Sequence, residues 1–388
     1  MADLLSEGHT AFPTVEVIDE IYSPATMAQA EALRQRFKNE FGRADTTEHL
    51  RPLLFPRFLW RFVFDREREK VQERWNKFSL KRQLELCRQL EEIKISAEDE
   101  ERRAEHHFFR AQCYAHINAY GHVDPENPPF IKDKKMKIVL SDLVPFGSKN
   151  RWNSILQDAS LAAKTNQLVR NGKMELSVSP YSSSPHQVPI TQRISEFMSK
   201  HKEGAVKVLY DPEHEDVVAA LYRLTIDYRR LNAASYLEQW PLPRILPLLD
   251  RASGSDRYSS MDLPDAFHSL FLEESSRPCT AILTPKRLLQ YCCMPQGHKN
   301  SANVWSRVVW EVFTPLEHED VITYQDDQVN HAREFLAHLI LQGRIYSILE
   351  EYNMIHKWQK TNLNFRSMKI LGHVLSKEGR GPDPKAEI

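Results

Sequence analysis

An α+β fold is what the sequence predicts, on two observations. From about residue 135 onward, short strand-like runs are interleaved with helical stretches, and before that point the chain is charged and helical in its periodicity. The strand candidates are KMKIVL (135–140), RLTIDY (223–228), RYSSMDL (257–263), LLQYCCM (288–294) and VITYQ (321–325). Helices are expected over Trp152–Asn171, Asn303–Phe313 and His331–Tyr352. Strands and helices in mixed order argue for one domain with a sheet at its centre.

From about 60 to 118 the chain is dense in Glu, Arg, Lys and Gln. Val71, Trp75, Phe78, Leu84, Cys87, Leu90 and Ile93 recur there at three- and four-residue spacing, the mark of an amphipathic helix. The segment GHVDPENPPF (121–130), with one glycine and three prolines, reads as a linker. Two regions follow: a charged helical region over 1–130 and a larger domain over 135–388. His106, His107 and Cys113 lack zinc-ligand spacing, because adjacent histidines on a helix point about 100° apart.

The 388 residues are 41% hydrophobic and 27% charged with a formal net charge of -1, so any nucleic-acid surface must be a local patch on a neutral whole. The five cysteines form no C-x-x-C pair, which fits free thiols in a reducing compartment. With no signal-like N-terminus and no apolar run of spanning length, the expectation is an intracellular protein, cytoplasmic or nuclear, neither secreted nor membrane-bound.

The sharpest local feature is VITYQDDQVNH (321–331), in which strand-like halves flank Asp326 and Asp327 at a hairpin turn. Adjacent aspartates repel unless a cation compensates, although turns also favour Asp for structural reasons. A second strand, in YSSMDLPDAF (258–267), delivers Asp262. Hard divalent cations take carboxylate oxygens from separate segments, and a two-ion site holds its metals about 4 Å apart. Asp262 with Asp326 and Asp327 could supply that site.

Around these acids the chain resembles the reverse transcriptases of long-terminal-repeat retrotransposons of the gypsy class, which are related to those of retroviruses. NGKMELSVSPYSSSP (171–185), RLTIDYRRLN (223–232), WPLPRI (240–245), YSSMDLPDAF (258–267), MPQGHKNSANVW (294–305), YQDD (324–327) and ILGHVLSKEG (370–379) occur in the family's order. The resemblance implies the fingers and palm of a right-hand polymerase, with an antiparallel palm sheet. It implies RNA- or DNA-templated extension of a primer by deoxynucleoside triphosphates, using two magnesium ions that manganese could replace.

Carried over position by position, Asp262, Asp326 and Asp327 resemble the metal-binding acids. Phe267 resembles the aromatic gate that rejects a 2′-hydroxyl, a core aromatic being the other reading. Arg223 resembles the arginine that grips the triphosphate, and a guanidinium fork suits phosphate oxygens. Gln296 resembles the residue touching the incoming ribose, and Lys360 a lysine near the triphosphate or a solvated surface lysine. Tyr324, Leu371, Gly372 and His373 correspond to primer-contacting positions, the last three on the strand that steadies the primer's end.

The pattern also departs from the family. TPKRLLQY (284–291) lacks the usual turn glycine, which predicts an unfavourable conformation at Lys286 or Arg287. A long segment with an acidic run (189–222) stands where the family has a short basic hairpin, and the chain ends at GPDPKAEI, where the family begins its thumb. These departures keep a second expectation open, a truncated, non-catalytic retroelement relic that at most binds nucleic acid. An RNA-dependent RNA polymerase is disfavoured by Phe267. Part of a longer polyprotein is one expected setting; oligomeric state and template identity stay open.

Overall fold

The computed structural model describes nearly all of residues 129–383, together with 88–89, 92–99 and positions 101–103, 105, 106, 109 and 113. The apolar stripe from Val71 to Leu90, His107 and most of the 121–130 segment lie outside the described residues. Two units make up the fold: Met1–Pro128, Leu242–Pro264 and Val309–Ile388 in one, Pro129–Pro241 and Asp265–Val308 in the other.

The first unit is built on a five-stranded sheet whose order is Lys94–Ile95, Asn362–Phe365, Arg257–Asp262, Asp327–Ala332, Val321–Tyr324. The Arg257–Asp262 strand is central and antiparallel to both neighbours. Its alternation sorts the two faces. Tyr258 joins Ile322, Val329, Met368, Ile370 and Leu375 over helix Ile245–Ala252, which contributes Leu249 and Ala252. Ser259 and Met261 turn instead to helix Phe335–Glu351, where Ser259 Oγ lies 2.7 Å from His338 Nε2 and Gln342 donates to the Met261 sulfur. A separate meander, Met368–Ile370, His373–Ser376 and Gly379–Pro382, completes the unit.

The stretch before residue 130 is not purely helical. Lys94–Ile95 forms an edge strand parallel to Asn362–Phe365. Just beyond it, the fully buried Arg102 donates to the Asp256 carbonyl at 2.7 Å, and Arg257 donates to Glu101 and Glu105 at 2.7 and 2.6 Å. These ion pairs fasten that segment to the start of the central strand.

In the second unit, Met174–Leu176, Leu288–Tyr291 and Ile282–Leu283 form a three-stranded sheet, and Pro185–Pro189 pairs with Tyr222–Ile226. The long 189–222 segment is folded. Its helices Thr191–Lys200, Ala205–Val208 and Glu215–Ala219, with Leu209 and Leu221 just beyond the last two, bury Phe197, Leu209, Val218 and Leu221 against Ala159 and Ala163 of helix Ile155–Arg170. The acidic run serves this packing: Glu215 pairs with Arg170 at 2.5 Å and Asp216 accepts from Gln167 at 2.6 Å.

Three expectations need correction. Lys286 and Arg287 are absent from the positive-φ residues, because the Thr284 hydroxyl accepts from the Arg287 amide and donates to its carbonyl, holding the turn without glycine. His331 does not open a helix; it lies in the Asp327–Ala332 strand, and the helix starts at Phe335. Leu371 and Gly372 form a two-residue hairpin turn with φ of 49° and 77°, and only His373 begins a strand. The described cysteines Cys113, Cys279, Cys292 and Cys293 are buried, and among the described residues no helix is long and apolar enough to cross a membrane.

Candidate active site

The central strand ends at Asp262, and its antiparallel neighbour begins at Asp327; the two aspartates are direct cross-strand partners. Opposed residues on one face of a sheet have Cβ atoms about 5 Å apart, so like charges there repel. Asp326 sits in the tight turn before Asp327, closed by the Tyr324–Asp327 pair. Gln325, the first residue of that turn, has φ of 56°, the left-handed region a two-residue hairpin demands. The Asp326 carbonyl accepts from the Leu263 amide at 3.1 Å, tying the turn to the end of the central strand.

Asp262 is buried at 8% exposure, whereas Asp326 and Asp327 are exposed. The Asp327 carboxyl is nevertheless pushed above its usual value, first by partial removal from water, then by the charges of Asp326 and Asp262. Lys360 opposes that rise. It follows the buried Trp358 in a short 3₁₀ turn, and its Nζ donates to Asp262 Oδ1 at 2.9 Å. Its ammonium is raised in turn, chiefly by that bond. The turn is pinned from behind, where the Lys357 amide donates to the Asp262 carbonyl at 2.7 Å. Among the described residues no three carboxylate, imidazole or thiol groups are gathered tightly enough to enclose an ion. Lys360 is the cation these acids hold.

The same unit carries Tyr324, opposite Asp327, and the Leu371–Gly372 turn with His373. Arg223, Phe267 and Gln296 belong to the other unit. Arg223 is exposed on the Tyr222–Ile226 strand opposite Val188, while Arg229 is occupied by both oxygens of Asp227 at 2.8 and 2.7 Å. Gln296 is exposed beside Gly297, whose φ is 88° and whose carbonyl accepts from Asn232. Phe267 lies in the 3₁₀ turn Ala266–Ser269, its half-buried ring edge-on to Trp305 at 6.4 Å.

Several residues around Phe267 escaped the sequence reading. Asp265, with φ of 47°, starts the turn and holds His268 Nδ1 at 2.9 Å, and His268 stacks on Tyr291. The buried Lys173 donates to the His268 carbonyl at 3.1 Å. Nothing in the local pattern around NGKMEL distinguishes that lysine from a surface one.

Residues 212–375 match the family described as reverse transcriptase (RNA-dependent DNA polymerase). All eleven candidate residues fall inside that range. The chain is 27% identical over 251 residues to the retrovirus-related Pol polyprotein of transposon 412 of Drosophila melanogaster, covering 65% of this chain and 19% of the relative. With the corresponding polyprotein of transposon gypsy, also from Drosophila melanogaster, identity is 25% over 163 residues, covering 42% of this chain and 16% of the relative. The chain thus spans about a fifth or less of the length of these two relatives. Among solved structures, a foamy viral protease-reverse transcriptase in complex with an RNA/DNA hybrid superposes with a TM-score of 0.60 at 17% identity, over 77% of this chain and 36% of that one. That likeness shows the fold, the polymerase fold of reverse transcriptases.

Proposed function

We propose that this chain, whose residues 212–375 form a reverse transcriptase domain, is a template-directed DNA polymerase that extends a primer 3′-hydroxyl with deoxynucleoside triphosphates. The single observation that carries the reading is the facing of Asp262 and Asp327 across adjacent strands, with Asp326 in the connecting turn.

In donor chemistry the residues suit divalent metal ions, although as they are placed here the three carboxylates do not close around one. Three carboxylates come from two segments; partial burial, and then the charges of Asp326 and Asp262, raise Asp327, and Asp262 already holds a cation, Lys360. Asp262, Asp326 and Asp327 would hold magnesium, with manganese as its substitute. When bound, such ions supply Lewis-acid stabilisation of the charge that develops on phosphoryl oxygens.

In the reaction the primer oxygen bonds to the α-phosphorus of the nucleotide, its proton leaves to solvent, and pyrophosphate departs. Lys360, released from Asp262, would offer its ammonium to triphosphate oxygens, and the exposed Arg223 carries a two-pronged donor of the kind that suits phosphate oxygens. Phe267 presents a flat apolar ring to the sugar, leaving no room for a 2′-hydroxyl, and Gln296 contacts the ribose. Tyr324, Leu371, Gly372 and His373 face the primer's end. Partners follow from this reading: a primed RNA or DNA template, deoxynucleoside triphosphates and the remainder of a longer polyprotein.

The test is extension of a labelled DNA primer on an RNA template by the full chain with magnesium, beside an Asp326→Asn/Asp327→Asn variant. Extension by the parent alone supports the reading. Equal primer–template binding by both proteins, without extension by either, points instead to a relic that only binds nucleic acid.

A further inference from the structure

Backbone carbonyls in a one-turn 3₁₀ helix need partners that the turn itself cannot all provide. In the turn that carries Phe267, each carbonyl can be traced. Asp265 O accepts from the Ser269 amide, Ala266 O from the Ser269 hydroxyl, and Phe267 O from the Leu270 amide. Ser269 O accepts from the Ile131 amide. His268 O, directly after Phe267, accepts from the ammonium of Lys173, 95 residues earlier in the chain.

Lys173 delivers that ammonium from a fixed base. Its amide donates to Leu168 O at 2.8 Å and its carbonyl accepts from the Cys292 amide at 2.9 Å. The residue is 2% exposed, and the Phe130 ring, itself stacked on Phe271, lies 4.2 Å from Nζ. Removal from water lowers the ammonium, with Cys293 and Asp265 opposing. A lysine in so closed a place is costly unless its hydrogens are used, and a hydrocarbon would fill the space at less cost. What a hydrocarbon cannot do is hold the His268 carbonyl.

The turn needs holding, because Asp265 is a non-glycine residue in the left-handed region and the chain leaves it toward the Phe267 ring edge-on to Trp305. We propose that Lys173 is the positioning residue that sets the Phe267 ring, and through it the preference of the nucleotide site for deoxyribose over ribose. This rests on the reading of Phe267 as the sugar gate. Lys173 lies outside the 212–375 range that matches the family, and it touches no substrate in this account. It acts on sugar choice by keeping the ring from rocking away from the space a 2′-hydroxyl would need.

The experiment measures sugar preference without turnover. The full chain is bound to a primer–template ending in a dideoxynucleotide, and the concentrations of the next complementary dNTP or rNTP that stabilise the complex against salt challenge are compared. Lys173→Met, close in shape and lacking a donor, is expected to reduce the rNTP-to-dNTP ratio by about fivefold or more, with a melting temperature near the parent's. Phe267→Ala reduces it at least as far. A Lys173→Met ratio within about twofold of the parent's, beside a Phe267→Ala that loses its preference, overturns the inference and leaves the gate reading intact. A Phe267→Ala that keeps the parent's preference overturns the gate reading, and the inference with it. Where Lys173→Met does not fold, Lys173→Leu, also without a donor for the His268 carbonyl, decides: a reduced ratio supports the proposal and an unchanged one overturns it.

Discussion

Lys360 Nζ lies 2.9 Å from Asp262 Oδ1, so the carboxylate at the end of the central strand is paired with a cation of the chain itself. The lysine is more than half exposed, and such a pair contributes about 0–1 kcal/mol. Its interest lies in competition, because on the proposed reading a divalent ion would have to displace the ammonium from Asp262. Lys360→Met is expected to tighten magnesium binding by about threefold, the equivalent of roughly 0.7 kcal/mol. Magnesium titrated against melting temperature, without nucleic acid, reads this directly; unchanged or weaker binding contradicts it.

Asp327 carries a folded-state cost. Its carboxyl is raised above the usual value, so its ionised form at neutral pH disfavours the folded state, and that penalty fades as pH falls through the raised value. Asp327→Asn should therefore melt at or slightly above the parent's temperature in the absence of metal, while losing stabilisation by magnesium and primer extension. Calorimetry with and without magnesium checks both halves; a variant that melts lower without metal contradicts the first.

How much of this was legible beforehand depended on whether the information was local. Asp262, Asp326 and Asp327 stand at a strand end and a hairpin turn, features that short patterns of alternation and turn residues encode. His331 was misread because its strand is buried on almost every position, which erases the period-two signal. The pairing of Lys94–Ile95 with Asn362–Phe365 joins residues far apart in the chain, and a two-residue strand leaves no pattern to find. Strain was expected at Lys286 or Arg287 for want of a turn glycine, but the Thr284 hydroxyl shapes that turn. Lys173 and Arg102 look like surface residues in sequence, and their roles exist only once distant carbonyls and carboxylates are brought to them.

Arg102 is fully buried among Asp256, Glu101 and Glu105, and Arg257 shares the same acids. Removing one partner of a buried ionic cluster leaves the others uncompensated, so Arg102→Met should cost about 3 kcal/mol of stability. Urea unfolding measures this, and a loss below about 1 kcal/mol would show that the segment carrying Glu101 and Glu105 is only loosely attached to the central strand.

Two buried histidines set an acid limit. Burial lowers His338 to about 3, with Arg257, His331 and Arg102 adding to it, and lowers His298 to about 4, with Lys299 adding to it. Both are neutral in the fold, whereas in the unfolded chain they take up protons below about pH 6.5. Stability from this source is complete above that pH and declines as pH falls toward about 4 and 3. Between pH 7 and pH 5 the two together should cost on the order of 3 kcal/mol. Urea unfolding at the two pH values tests this, and His338→Gln should flatten the difference.

Whether Asp262, Asp326 and Asp327 form one divalent-cation site can be read by placing iron(II) in the full chain with ascorbate and mapping where the backbone is cut. Cuts are expected close to residue 262 and close to 326–327 in the same molecules, suppressed by excess magnesium and lost in Asp327→Asn. Cuts elsewhere, or cuts at these positions that neither magnesium nor the substitution removes, would contradict it.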